Sequence, residues 1–269
     1  MVKTSILKGL LVMIVASGVI SACSTVPITG RKQLNLMPES EMLSMSLTQY
    51  QQFLKENKVS DDQEKTEMVR DVGQRIARAV ETYFEDHGMS ERIENFEWEF
   101  NLVENDTPNA WCMPGGKVVI YSGILPITED ETGLAVVMGH EIAHAVARHG
   151  NERMSQQMSV QLGGAALSAA LSEKPEQTQN IFMAAYGLGS QVAYTLPYSR
   201  THESEADQLG LIFMAMAGYN PREAVDFWQR MSQIGGQKPP EFLSTHPSDE
   251  TRVRKLREFM PEALKYYNR

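Results

Sequence analysis

Cysteine is scarce in this chain, with only Cys23 and Cys112 among 269 residues. Two sulfurs exclude a disulfide framework and every zinc site built on four thiolates, so a metal would have to come from histidine and carboxylate. Positive charge is also short. Against 34 Asp and Glu there are 25 Lys and Arg, a net charge of −9, which points away from a nucleic-acid partner. No internal repeat or low-complexity tract is present, and no apolar run is long enough to span a bilayer comfortably. The remainder, 42% apolar and 22% charged residues, is a globular composition with length for one large domain or two small ones.

The first residues read as a targeting segment. Lys3 and Lys8 precede an apolar run from Gly9 to Ile20, the pattern of a secretory signal. The run ends in Ile20-Ser21-Ala22-Cys23, which resembles the lipobox of bacterial lipoproteins. That resemblance implies a signal peptide over residues 1–22 and lipid attachment at Cys23; the alternative is an ordinary signal followed by a chance cysteine. Acyl chains would hold the protein at a membrane without spanning it. Ser24 resembles the outer-membrane sorting preference of Gram-negative lipoproteins, so the expected location is the periplasmic side of the cell envelope, at the outer membrane.

Residues 23–59 are expected to be a linker around Pro27, Gly30, Arg31 and Lys32 followed by a short amphipathic helix over Glu39 to Lys55, and residues 60–269 the main domain. Ser60 to Gln63 fits a capping box for a helix reaching about Phe84. Phe96, Trp98, Phe100 and Leu102 alternate with polar residues as a half-buried strand. Two further strands, 109–113 and 117–121, flank the Pro114-Gly115-Gly116 turn. A second capping box, Thr128 to Glu131, opens a helical region with segments at about 129–149, 152–171, 177–195, 199–217, 221–234 and 248–266. The Ala- and Gly-rich apolar stretches within 162–171 and 181–196 read as core helices, or as a greasy pair lying against a membrane. The 16 methionines read as core filling, with an adaptable surface for unfolded clients as the alternative.

The chemistry concentrates at His140-Glu141-Ile142-Ala143-His144, an H-E-x-x-H pattern in an otherwise apolar helix. Residues i and i+4 share a helical face, so both imidazoles can reach one Zn²⁺, and Glu141 projects beside it as a general base for an attacking water. A catalytic zinc needs a third protein ligand. Continued helix would turn His149 roughly 140° off the ligand face, making it an exposed cation at the helix end. The candidate is Glu203-Ser204-Glu205-Ala206-Asp207, 59 residues after His144: Glu203 and Asp207 are again i and i+4, so one can bind metal while the other hydrogen-bonds a ligand imidazole. Ala206 leaves room for the two helices to approach.

H-E-x-x-H followed by E-x-x-A-D resembles the gluzincin family of the CAAX prenyl endoprotease, the HtpX heat-shock protease and the mitochondrial overlapping-activity metalloprotease. Among its bacterial periplasmic members is a beta-barrel assembly-enhancing protease. The mitochondrial-type set is the most similar, through Asn109-Ala110-Trp111, Pro114 to Lys117, His140 to His149, Ser199 to Glu203, and Ser244 to Ser248. The resemblance implies an α+β, mainly α, zincin-like domain with a small β-sheet packed on the active-site helix. It implies one zinc per chain on His140, His144 and Glu203, with Asp207 supporting them and Glu141 as base. Asn109 and Ala110 match the family's substrate-binding edge strand, where an extended peptide adds to the sheet. His246 and Arg252 match positions facing the active site, as oxyanion donors, or for His246 as a fourth ligand keeping the enzyme latent. Cys112 departs from the aliphatic residue usual on that strand. It is either a small buried hydrophobe or, if exposed, a thiolate that binds zinc or is oxidised.

The function expected is a membrane-anchored zinc endopeptidase acting on misfolded or misassembled envelope proteins. The alternatives are an envelope chaperone or assembly factor with a latent or structural zinc, and a zinc hydrolase of a non-peptide amide. An intact Glu141 argues against a purely structural site.

Overall fold

A computed structural model describes residues 23–234 and 249–267. The signal peptide expected over 1–22 and His246 lie outside the described residues. The chain runs β1 (Cys23–Thr25), β2 (Lys32–Leu34), α1 (Glu39–Glu56), α2 (Gln63–Asp86), β3 (Glu99–Val103), β4 (Ala110–Met113), β5 (Lys117–Tyr121) and a short α3 (Leu125–Thr128). The helices α4 (Glu131–Val146), α5 (His149–Leu171), α6 (Glu176–Ser190), α7 (Leu196–Met216), α8 (Glu223–Ile234) and α9 (Asp249–Tyr267) follow. This is the α+β, mainly α, architecture expected from the sequence, with a small sheet beside a helical core.

Helix starts are set by aspartates rather than by the expected hydroxyl boxes. Asp62 accepts from Lys65 N at 3.1 Å to cap α2, and Asp130 accepts from Thr132 N and Gly133 N at 2.8 and 2.9 Å to cap α4. Ser60 and Thr128 bond elsewhere, to Asp62 N and to the Leu125 carbonyl. A carboxylate is the stronger acceptor and also complements the positive end of the helix dipole.

The main sheet has the order β3-β5-β4, with β3 parallel and β4 antiparallel to β5, so β4 is an edge strand. Its inner face packs on α2 and α4 through Phe100, Leu102, Val118 and Ile120. The outer face is covered too: Tyr50 of α1 packs with Val103 and Val119 and accepts a hydrogen bond from Asn101 Nδ2. That second cover makes β3 buried along Phe100 to Val103 instead of half-buried.

α4 is the central helix, buried almost continuously from Gly133 to Val146, and it crosses α7 at two glycines. A Cβ on Gly139 would meet Gly210 O at 2.9 Å, and one on Gly210 would meet the His140 N at 2.9 Å. Gly139 and Gly210 make a close approach of the two helices, and Ala206, one turn before Gly210, is fully buried. Gly210→Ala is expected to lower stability by about 1–3 kcal/mol, because backbone on both sides must yield. Thermal unfolding against Gly187→Ala, where an added Cβ meets nothing within 4 Å, separates this clash from a general effect of alanine on a helix.

Two expectations change here. The segment read as a linker is a β1–β2 hairpin whose Gln33 is buried against α5. The apolar helices read as core are exposed: no residue of α6 is buried, and Leu162, Ile181, Phe182 and Leu188 are 52–68% exposed. The outer part of α5 and α6 pack on each other through Tyr186, which lies over Gly163 and donates to Val160 O at 2.8 Å. This pair extends beyond the region that α2, α4 and α7 fill, so apolar composition alone did not bury it. A π-helical turn, Gln191–Thr195, joins it to α7.

Candidate metal centre

α4 presents His140, Glu141 and His144, and α7 crosses it to present Glu203 and Asp207. His140 Nε2 and His144 Nε2 lie 3.1 Å apart, and the Glu203 carboxylate sits 3.6 and 3.5 Å from them. Ligand atoms at the corners of a tetrahedron with bonds of ~2.0–2.1 Å are about 3.3 Å apart, so this donor set fits a single zinc. Among the described residues it is also the one cluster of histidine, cysteine and carboxylate groups arranged to share an ion.

Both imidazoles turn Nε2 inward because their Nδ1 atoms are held. His140 Nδ1 is 3.0 Å from Asp207 Oδ1, the supporting role expected for Asp207. Burial and the Arg252 charge oppose a proton on His140, but Asp207 and Glu203 outweigh them and raise it to about 9. This corner of the site therefore favours positive charge. Burial works against the Asp207 carboxylate as well, yet Arg252 and His140 keep it below its ordinary value. Burial pushes His144 well below the ordinary histidine range, with His140 and His149 adding to it.

Arg252 comes from α9 and is buried. Its guanidinium donates to Asp207 at 2.6 Å, lies 3.6 Å from Glu203 and stacks 3.2 Å over the Trp228 ring. The structure thus brings Arg252 both to Asp207, behind His140, and to Glu203, on its metal-facing side, with Nη2 3.3 Å from His140 Nε2, where it balances the charge of the two carboxylates. Asn109 and Ala110 are at the start of the edge strand, and α4 packs against that strand. Cys112, on the same strand, is half-buried, and burial together with the Glu141 charge pushes its thiol up, so it is protonated at neutral pH.

His149 differs most from its expectation. It is 1% exposed, and its Nδ1 is 2.9 Å from His144 Nδ1. The helix does not continue through it: α4 ends at Val146, Arg148 adopts a left-handed conformation (φ 61°), and α5 begins at His149, which swings the ring back over His144. Sequence reasoning missed the groups around it, Glu152, Glu205, His202 and Arg31, because ion pairs over 50 to 174 residues leave no local pattern.

Two histidines one turn apart on a buried helix, a glutamate after the first of them and a third ligand from a crossing helix define the H-E-x-x-H class of metallopeptidase centre. Residues 65–260 match peptidase family M48, and the chain belongs to that family. The mitochondrial metalloendopeptidase OMA1 of Schizosaccharomyces pombe is 38% identical over 190 residues, 70% of this chain and 53% of the relative. The metalloendopeptidase OMA1, mitochondrial, of Homo sapiens is 31% identical over 247 residues, 89% of this chain and 46% of the relative. The beta-barrel assembly-enhancing protease of Yersinia pestis is 30% identical over 161 residues, 58% and 33% of the two chains. The chain spans about half the length, or less, of the curated relatives it matches.

One expectation is overturned by these relatives. The proteins from Schizosaccharomyces pombe, Saccharomyces cerevisiae and Homo sapiens are mitochondrial, so a lipid-anchored location on the periplasmic side of a bacterial envelope does not stand. Among the described residues no helix is long and apolar enough to cross a membrane.

Proposed function

We propose that the chain is a zinc-dependent endopeptidase that cleaves extended segments of unfolded or misassembled proteins. The observation that carries this is the convergence of His140 Nε2, His144 Nε2 and Glu203 at tetrahedral spacing, on and across a helix that carries Glu141 and packs against the edge strand β4. Zinc bound there would polarise the scissile carbonyl and acidify the attacking water. The Glu141 carboxylate takes the proton from that water and returns it to the leaving amine nitrogen. Asp207 and His149 hold the outer nitrogens of the two ligand histidines, so the lone pairs on Nε2 stay directed at the ion.

Substrate would enter as an added strand. Tyr121 N donates to Asn109 O, so by antiparallel alternation Ala110 and Cys112 direct their N–H and C=O groups outward. An extended peptide laid along β4 would take these bonds through its own backbone, which fits unfolded segments of many sequences. The outward Ala110 N–H is held by Asn109 Oδ1 at 3.0 Å, a bond that substrate would replace.

The test is metal content and cleavage of casein by the full chain. One zinc per chain, activity lost to a chelator and restored by added zinc, and fragments cut inside the substrate would support the reading. Zinc bound without cleavage of any unfolded protein would favour the chaperone reading, and no zinc at all would sink the metal centre.

A further inference from the structure

Outside the residues that match the family, the N-terminal hairpin reaches into the back of the metal centre. Arg31, between β1 and β2, bridges two buried carboxylates: Nε and Nη2 donate to Glu205 at 2.8 and 2.9 Å, and Nη1 and Nη2 donate to Glu152 at 2.7 Å each. With a further bond from Nη1 to Lys32 O at 3.3 Å, all five N–H groups of the guanidinium are used. Thr29 Oγ1 donates to Glu205 at 2.8 Å, and Gln33 and His202 donate to Glu152. Glu205 in turn lies 3.1 Å from His149 Nε2, and His149 Nδ1 faces His144 Nδ1.

Only one proton arrangement satisfies this chain once His144 binds metal. His144 must keep the Nε2 lone pair for the ion, so its proton is on Nδ1. His149 Nδ1 must then accept, which puts the His149 proton on Nε2, where Glu205 accepts it. Glu205 is an acceptor fixed on its other side by Arg31 and Thr29. The left-handed turn at Arg148 and the stacking of His149 on His202, with ring centroids 4.4 Å apart, hold the His149 ring in this orientation.

We propose that His149 is a positioning residue for the metal ligand His144, held in the required tautomer by Glu205 and by Arg31 of the N-terminal hairpin. The hairpin is thus part of the metal centre, and its loss loosens the site from a distance. This rests on the zinc reading above, and the experiment separates the two.

Zinc affinity of the full chain is measured by chelator competition, beside circular dichroism of each metal-free variant. His149→Leu removes the acceptor and is expected to weaken zinc binding by about 10–100-fold. His149→Asn places an amide oxygen near the position of Nδ1 and is expected to stay close to the wild-type value, although it loses the link to Glu205 as fully as leucine does. Arg31→Met is expected to weaken zinc binding in the same direction as His149→Leu. A folded His149→Leu protein that binds zinc as tightly as wild type overturns the proposal, as does an asparagine variant that falls as far as leucine. Long-range ¹H–¹⁵N spectra of the zinc-loaded wild-type protein give a readout that needs no variant to fold: His149 protonated on Nε2 supports the proposal, and His149 protonated on Nδ1 overturns it. A wild-type chain that binds no zinc would defeat the metal-centre reading itself.

Discussion

Glu141→Gln is expected to retain zinc while its casein cleavage falls by about 10²–10⁴-fold, the contribution typical of a positioned general base. The amide is nearly isosteric with the carboxylate but cannot accept and return a proton near neutral pH. The donor atoms are supplied by His140, His144 and Glu203, so Glu141 is not needed as a ligand and its replacement is expected to leave metal binding intact. Zinc content and cleavage measured on one preparation check this. A variant that lost zinc together with activity would make Glu141 a ligand. One that kept full activity would remove it from the chemistry.

Glu203→Gln is expected to do the reverse, losing metal first and activity as a consequence. Glu203 is 4% exposed, its carboxylate between His140 and His144 on one side and Arg252 on the other. The amide presents a neutral, weaker donor to zinc and places N–H groups among imidazoles and a guanidinium. Zinc affinity should fall by more than the ~10–100-fold that a supporting partner costs, because a direct ligand is lost. Excess zinc should restore part of the cleavage in Glu203→Gln and none in Glu141→Gln. This difference separates a ligand from a base, and unchanged zinc affinity in Glu203→Gln would show that the third ligand is another group.

Much of the site is legible along the chain because its chemistry is written at fixed helical spacing. His140 and His144, like Glu203 and Asp207, are one turn apart, and a helix with the right apolar face must put each pair on one side. The choice between Glu203 and Asp207 as ligand is different in kind. It follows from the way α7 crosses α4 at Gly139 and Gly210, which brings Glu203 to both Nε2 atoms and Asp207 to His140 Nδ1. His149 shows how local reasoning fails: extending a 3.6-residue period past Val146 puts it on the far side, while one left-handed residue at Arg148 returns it to His144.

Burial could not be read from apolarity either. The stretches around Leu162 and Ile181 are as apolar as core helices but project beyond the core, while the polar Arg31, Gln33, Glu152 and Glu205 form a tightly bonded cluster. The sequence by itself determined what obeys short-range rules: the main helices, the three strands of the larger sheet, the H-E-x-x-H face and the acidic partner helix. Tertiary structure decided which groups meet across long separations: Arg31 with Glu152 and Glu205, Arg252 with Asp207, and His149 with His144. The reason is physical. A helical period is imposed by backbone geometry within a few residues, whereas a buried ion pair depends on how whole elements pack, and packing is set by the sum of many weak contacts that no short segment contains.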